Sequence, residues 1–165
     1  MNSREVRPDS AIALHSAMKE TVKNTGGLNA FMLREIAAEA AAAFNSDSHR
    51  VPPFTARNPN LTMDDAYRVT ALVHEIRLAQ GYKPVGRKIG FTNRTIWAEY
   101  GVYAPIWGDM YDTTLQPLGA DCVLDLSPLL EPRLEPEIAF GVAQPLQAGM
   151  DEAALLGCID WVAHG

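Results

Sequence analysis

The chain has 165 residues, 47% of them hydrophobic and 21% charged, a composition that excludes a disordered or fibrous protein and is long enough to bury a core without disulfides or structural metal. Acidic side chains outnumber basic ones, 20 against 14, for a formal charge of -6, and no lysine- or arginine-rich patch exists to bind nucleic acid. No apolar run approaches a bilayer crossing and the first residues show no apolar signal segment, so the expectation is a cytoplasmic protein with no membrane partner.

Ser10 to Asn24 places Ile12, Leu14, Met18 and Val22 among polar residues before Gly26-Gly27, which reads as a helix. Asn29 to Phe44 predicts a second, alanine-rich helix with Phe31, Leu33, Ile36 and Ala40 near helical spacing. Three prolines between Val51 and Asn60 predict an extended connection. Thr62 can cap the next helix, Asp64 and Asp65 suit its first turn, Gly81 suits its end, and Ala66, Val69, Val73 and Ile76 form its expected buried stripe. After Gly81 the pattern becomes β-rich, with runs at Val85–Ile89, Cys122–Leu126 and Leu134–Val142 between glycine- and proline-rich loops. A last helix is expected from Asp151 to Val162, with Ala154, Leu155, Cys158 and Trp161 at helical spacing. Cys122 and Cys158 fit no zinc or redox spacing and read as free, packed thiols of a reducing compartment. The four histidines show no metal-ligand spacing, and the three tryptophans read as packing residues, with bordering a pocket as the alternative for Trp107 beside Gly108.

Two stretches carry candidate chemistry. Strand alternation in Leu134–Val142 puts Leu134, Pro136, Ile138, Phe140 and Val142 on one apolar side, and Glu135 and Glu137 on the other beside the small Ala139 and Gly141. Adjacent carboxylates repel, and a hard divalent cation such as Mg2+ or Mn2+ would neutralise them; an edge strand with a merely solvated outer face is the alternative, which Pro136 suits. In Val85–Thr92, Gly86, Lys88 and Gly90 share one face, so Lys88 stands between two residues without side chains. A lysine there can serve as a general acid or base if desolvated, or it is a solvated lysine beside a bulge.

Taken in order, Val85-Gly86-Arg87-Lys88-Ile89-Gly90-Phe91-Thr92, Tyr100-Gly101-Val102, Pro105-Ile106-Trp107-Gly108 and Glu135-Pro136-Glu137-Ile138-Ala139 resemble the motif series of the 2-keto-4-pentenoate hydratase and 4-oxalocrotonate decarboxylase group of the fumarylacetoacetate hydrolase superfamily. Leu61–Tyr67 is similar to the start of that family's main helix, and the resemblance runs from about Pro53 to Trp161. It implies an α+β fold: a helical N-terminal segment over 1–82, then over 83–165 the start of a mixed β roll or sandwich that forms the first part of the catalytic domain. It implies Lys88 as catalytic lysine, Glu135 and Glu137 as metal ligands, and Gly90, Phe91 and Thr92 beside the substrate. Asn93, Pro136 and Trp107 depart from the family pattern and bear on substrate identity.

The implied activity is metal-dependent hydration of a small unsaturated 2-oxo acid, of the 2-hydroxypenta-2,4-dienoate or 2-keto-4-pentenoate type, in aromatic-compound catabolism. The alternatives are decarboxylation of a 4-oxalocrotonate-type diacid, or a non-catalytic binding subunit. The family's third metal carboxylate follows a helix like that at Asp151–Val162, and the chain stops at Gly165 before reaching it. The resemblance therefore implies a partial catalytic unit lacking its C-terminal part, whose strands need cover from another chain, with a homo-oligomer as the expected form, or else one piece of a longer product.

Overall fold

The computed structural model describes residues 27–44, 51–117, 119, 123–127, 129 and 131–165. The helix expected over Ser10–Asn24 and the thiol of Cys122 lie outside them. Two compact units divide the chain after position 130.

The first unit opens with helix α1 (Ala30–Phe44), whose first turn is capped by Asn29 Oδ1 accepting from the Met32 amide at 3.0 Å. One helical turn, α2 (Phe54–Arg57), interrupts the stretch expected to be fully extended. Pro53 stands at its N-cap, where the missing N–H removes no helical hydrogen bond, so proline tolerates the turn. Helix α3 (Met63–Ala79) follows. Thr62 and Asp65 form a reciprocal capping box, with the Asp65 amide 3.1 Å from Thr62 Oγ1. At the other end Gly81 takes φ 90°, which lets the Gly81 amide reach Leu78 O at 3.0 Å and the Tyr82 amide reach Arg77 O at 3.1 Å.

Leu33, Ile36 and Ala37 of α1 meet Val69 of α3 in the core, with Leu28, Phe54, Leu61, Leu72, Val73 and Ile76 packed around them. Full burial of Leu33 contributes about 1.5–3 kcal/mol. Of the expected α3 stripe, Val69 is buried while Ala66, Val73 and Ile76 are half-buried. Phe31, expected inward, is 68% exposed. Among the described residues two charged side chains are buried instead, Asp65 and Arg77. Burial pushes the Asp65 carboxyl up, but the Thr62 hydroxyl, the Leu28 and Thr62 amides and the Arg68 charge together hold it below the usual carboxylate range. Arg77 donates to Ala41 O at 3.2 Å and lies over the rings of Phe44 and Tyr82.

Strand β1 (Pro84–Gly90) then pairs antiparallel with β2 (Ile106–Tyr111). Between them lie a 3-10 turn (Arg94–Ile96) and one helical turn, α4 (Trp97–Tyr100). The described residues 123–126, expected as part of a strand, have no regular structure.

The second unit is one hairpin-like pair. Strand β3 (Ile138–Val142) runs antiparallel to β4 (Ile159–His164), joined through the short helix α5 (Glu152–Gly157). The expected strand therefore starts at Ile138 and not at Leu134. The expected helix ends at Gly157, because residues 159–164 are taken by pairing with β3. Among the described residues, helices and two antiparallel two-stranded sheets give an α+β content.

Candidate active site

The register of the first sheet sets the surroundings of Lys88. Lys88 pairs with Gly108, Arg87 with Asp109, Ile89 with Trp107, Gly90 with Ile106 and Gly86 with Met110. Cross-strand partners share a face, so Lys88, Gly86, Gly90 and Gly108 lie together, and three glycines border the lysine where sequence alone shows two. A Cβ built on Gly86 or Gly108 would meet nothing within 4 Å. Lys88 itself is exposed.

The opposite face is clamped to α3. Trp107 stacks on Tyr67, ring centroids 5.3 Å apart, and the Arg87 guanidinium sits 4.1 Å over the Trp107 ring. Arg87 Nε donates to Asp109 Oδ1 at 3.4 Å, and His74 Nδ1 of α3 lies 3.3 Å from Asp109 Oδ2 and 3.0 Å from Tyr111 Oη. Burial, with the Asp109 charge beside it and a smaller opposing pull from Arg77, pushes the Tyr111 phenol up. Trp107 is thus a packing residue on the far side of the sheet from Lys88.

Past the strand, Gly90 is followed by Phe91, whose φ of 59° is left-handed for a residue with a side chain, a conformation that costs of order 1–3 kcal/mol and needs support. The support is visible: Trp97 Nε1 donates to Phe91 O at 2.9 Å, and Tyr100 packs edge-on against the Phe91 ring. Thr92 lies in the loop, and Asn93 has a local role, its Oδ1 accepting from the Thr95 amide at 3.0 Å and the Thr95 hydroxyl at 2.7 Å.

Glu135 and Glu137 belong to the second unit. Glu137 continues the ladder by one pair, its amide donating to Gly165 O at 2.8 Å and its carbonyl accepting from the Gly165 amide at 3.1 Å. Its face of the sheet is that of Ala139, Ala163 and Gly141, with Trp161 opposite Gly141. A side chain at Gly141 would collide with the Trp161 ring. Glu135 precedes the ladder in backbone without regular structure, so strand alternation places Glu137 and does not place Glu135. Among the described residues no three His, Cys, Asp or Glu side chains gather as a metal centre.

Gly108, Asp109 and His74 were not singled out from sequence. Gly108 follows Trp107 in a quoted motif, but its place beside Lys88 depends on register, which no local pattern reveals.

No family model matches the chain. It is 33% identical over 112 residues to the 2-hydroxyhexa-2,4-dienoate hydratase of Comamonas testosteroni, a match covering 67% of this chain and 42% of that protein. It is 36% identical over 117 residues to the 4-oxalocrotonate decarboxylase of Pseudomonas sp. (strain CF600), covering 70% and 44%. Two solved structures of 4-oxalocrotonate decarboxylase from Pseudomonas putida G7, one complexed with calcium and acetate and one with magnesium and adipate, superpose with a TM-score of 0.74 at 30% identity, over 84% of this chain and 52% of theirs. The chain spans about half the length of the curated relatives it matches. Likeness of sequence and of fold agree with the motif series, and the chain belongs to the 2-keto-4-pentenoate hydratase and 4-oxalocrotonate decarboxylase group of the fumarylacetoacetate hydrolase superfamily.

Proposed function

We propose that this chain carries the proton-transferring lysine and two metal carboxylates of a magnesium- or manganese-dependent hydratase acting on a small unsaturated 2-oxo acid of the 2-keto-4-pentenoate type. The observation that carries the reading is Lys88 on an open sheet face bordered by Gly86, Gly90 and Gly108. In this reading residues 1–82 are the helical segment, residues 83–165 begin the catalytic domain, and the two hairpins are parts of a mixed β roll.

Oxygen donors on Glu135 and Glu137 suit a hard cation, and the small Ala139 and Ala163 stand next to Glu137 on its face, while the Trp161 ring covers Gly141 farther along. When bound, a divalent ion supplies a Lewis acid that favours negative charge on the 2-oxo oxygen. Lys88 gives a proton to substrate carbon and takes one from it, as its two protonation states permit. The glycines let a flat conjugated acid approach the backbone, while Gly90, Phe91 and the Thr92 hydroxyl orient it.

Decarboxylation of a 4-oxalocrotonate-type diacid is the second reading, favoured by the likeness to decarboxylase structures holding calcium with acetate and magnesium with adipate. Incubating the chain with magnesium and each acid, and following hydrated product against carbon dioxide, separates the two. Calorimetric titration with magnesium alone tests the shared premise; an absence of binding favours a non-catalytic subunit.

A further inference from the structure

We infer that Asp109 is a positioning residue for Lys88, acting through Arg87 and anchored to α3 by His74; this rests on the reading of Lys88 as the proton carrier. Both Asp109 oxygens are engaged, Oδ1 by Arg87 Nε at 3.4 Å and Oδ2 by His74 Nδ1 at 3.3 Å. The same His74 Nδ1 lies 3.0 Å from Tyr111 Oη, and it donates to Asp109 in the tautomer or imidazolium state that carries a proton on that nitrogen. The Asp109 and His74 side chains are 15% and 17% exposed, where hydrogen bonds involving charge are stronger than at an open surface.

The placement is what gives this lattice a functional meaning. Arg87↔Asp109 is the register pair next to Lys88↔Gly108. Arg87 is the residue before Lys88 and points to the other face, so anything that fixes Arg87 fixes the peptide from which Lys88 rises. Around Lys88 the glycines contribute no side-chain packing of their own. The strand is instead held from behind, by the Arg87–Asp109–His74 chain and by Arg87 on Trp107 on Tyr67. Asp109 joins β1, β2 and α3 through its contacts with Arg87 and His74, and the proton carrier stands on the reverse of that joint.

The test uses the whole chain and a readout on Lys88 itself. Reductive methylation with 13C-formaldehyde gives each lysine a methyl resonance, and the Lys88 signal is identified by its loss in Lys88→Arg. In Asp109→Asn the Lys88 resonance is expected to change in shift and pH midpoint, and turnover of the 2-oxo acid with magnesium to fall about a hundredfold with KM within about twofold, as expected for a misplaced group. His74→Asn, whose amide N–H can stand near the Nδ1 position, is expected to keep the parent signal, and His74→Leu to reproduce the Asp109→Asn change. A folded Asp109→Asn chain with the parent Lys88 signal overturns the inference. If Asp109→Asn does not fold, identical Lys88 signals in His74→Leu and parent overturn it equally. A moved signal in a chain inactive on every 2-oxo acid upholds the positioning role and counts against the proposed function instead.

Discussion

Glycine inside a strand is ordinarily explained by a positive φ or by a neighbour that leaves no room, and neither explains Gly108. Positive φ among the described glycines occurs at Gly81, Gly101 and Gly149 only, and space above Gly108 is open. Gly108→Val should therefore leave stability unchanged or raise it by up to about 1 kcal/mol, since valine favours strands, while lowering kcat/KM by filling the bay beside Lys88. Denaturant midpoints and an assay on the same preparation check both halves, and a stable variant with full activity would show that nothing approaches that face. Lys88→Ala is expected to lower turnover by about two to four orders of magnitude, the range for one general acid or base. Arginine should rescue little, because a guanidinium keeps its proton near neutral pH; an alanine variant with more than half the turnover would make Lys88 a surface residue. The two glycines flanking Lys88 were legible because they are its neighbours in sequence. Gly108, Asp109 and His74 were not, because only the strand register and the packing of α3 bring them near.

At the scale of elements, α3 was the most legible because its signals are local: Thr62 and Asp65 at one end, Gly81 at the other. Thr62→Ala should cost about 1 kcal/mol, the usual loss of a cap, and more if the Asp65 charge is left short of a partner. Because the Asp65 pKa is lowered on folding, its contribution is present above the ordinary carboxylate range and is lost as pH falls through the folded value. Asp65→Asn should consequently flatten the acid limb of a stability-versus-pH curve measured by circular dichroism, and an unchanged acid limb would contradict the assignment. The strands were harder to read. Strand β2 contains Gly108 and Asp109, residue types depleted in strands, and its pairing with β1 and packing on α3 outweigh that. Strand β4 reads as the end of a helix because Leu155, Cys158 and Trp161 keep helical spacing. Yet Ile159, Trp161 and Val162 favour strands, and the partner β3 lies far away in sequence.

At the scale of the molecule, burial separates the two units. Leu33, Ile36, Ala37 and Val69 form the core cluster of the first, whereas in the second Ile138, Phe140 and Val142 are 61%, 55% and 49% exposed. Alternation in the sequence marked that face as apolar, but whether a face is covered depends on what packs against it, which alternation does not encode. Folded proteins are marginally stable, so a ligand bound only to the native state moves the unfolding equilibrium visibly. If Glu135 and Glu137 hold a divalent ion, magnesium at about a hundred times its Kd should add about 2.7 kcal/mol, which for a chain of this size raises Tm by roughly 5–10 °C. Glu137→Gln and Glu135→Gln keep the side-chain size and remove one negative charge, so the metal-free Tm should hold or rise as repulsion is relieved, while the magnesium shift is lost. Calcium should act in the same direction, as both ions take oxygen ligands. Thermal scans of the parent and both variants, with chelator and then with each ion, give the comparison. An equal magnesium shift in parent and Glu137→Gln would place the ion elsewhere, and no shift in the parent at millimolar magnesium would mean that this chain alone does not form the metal site.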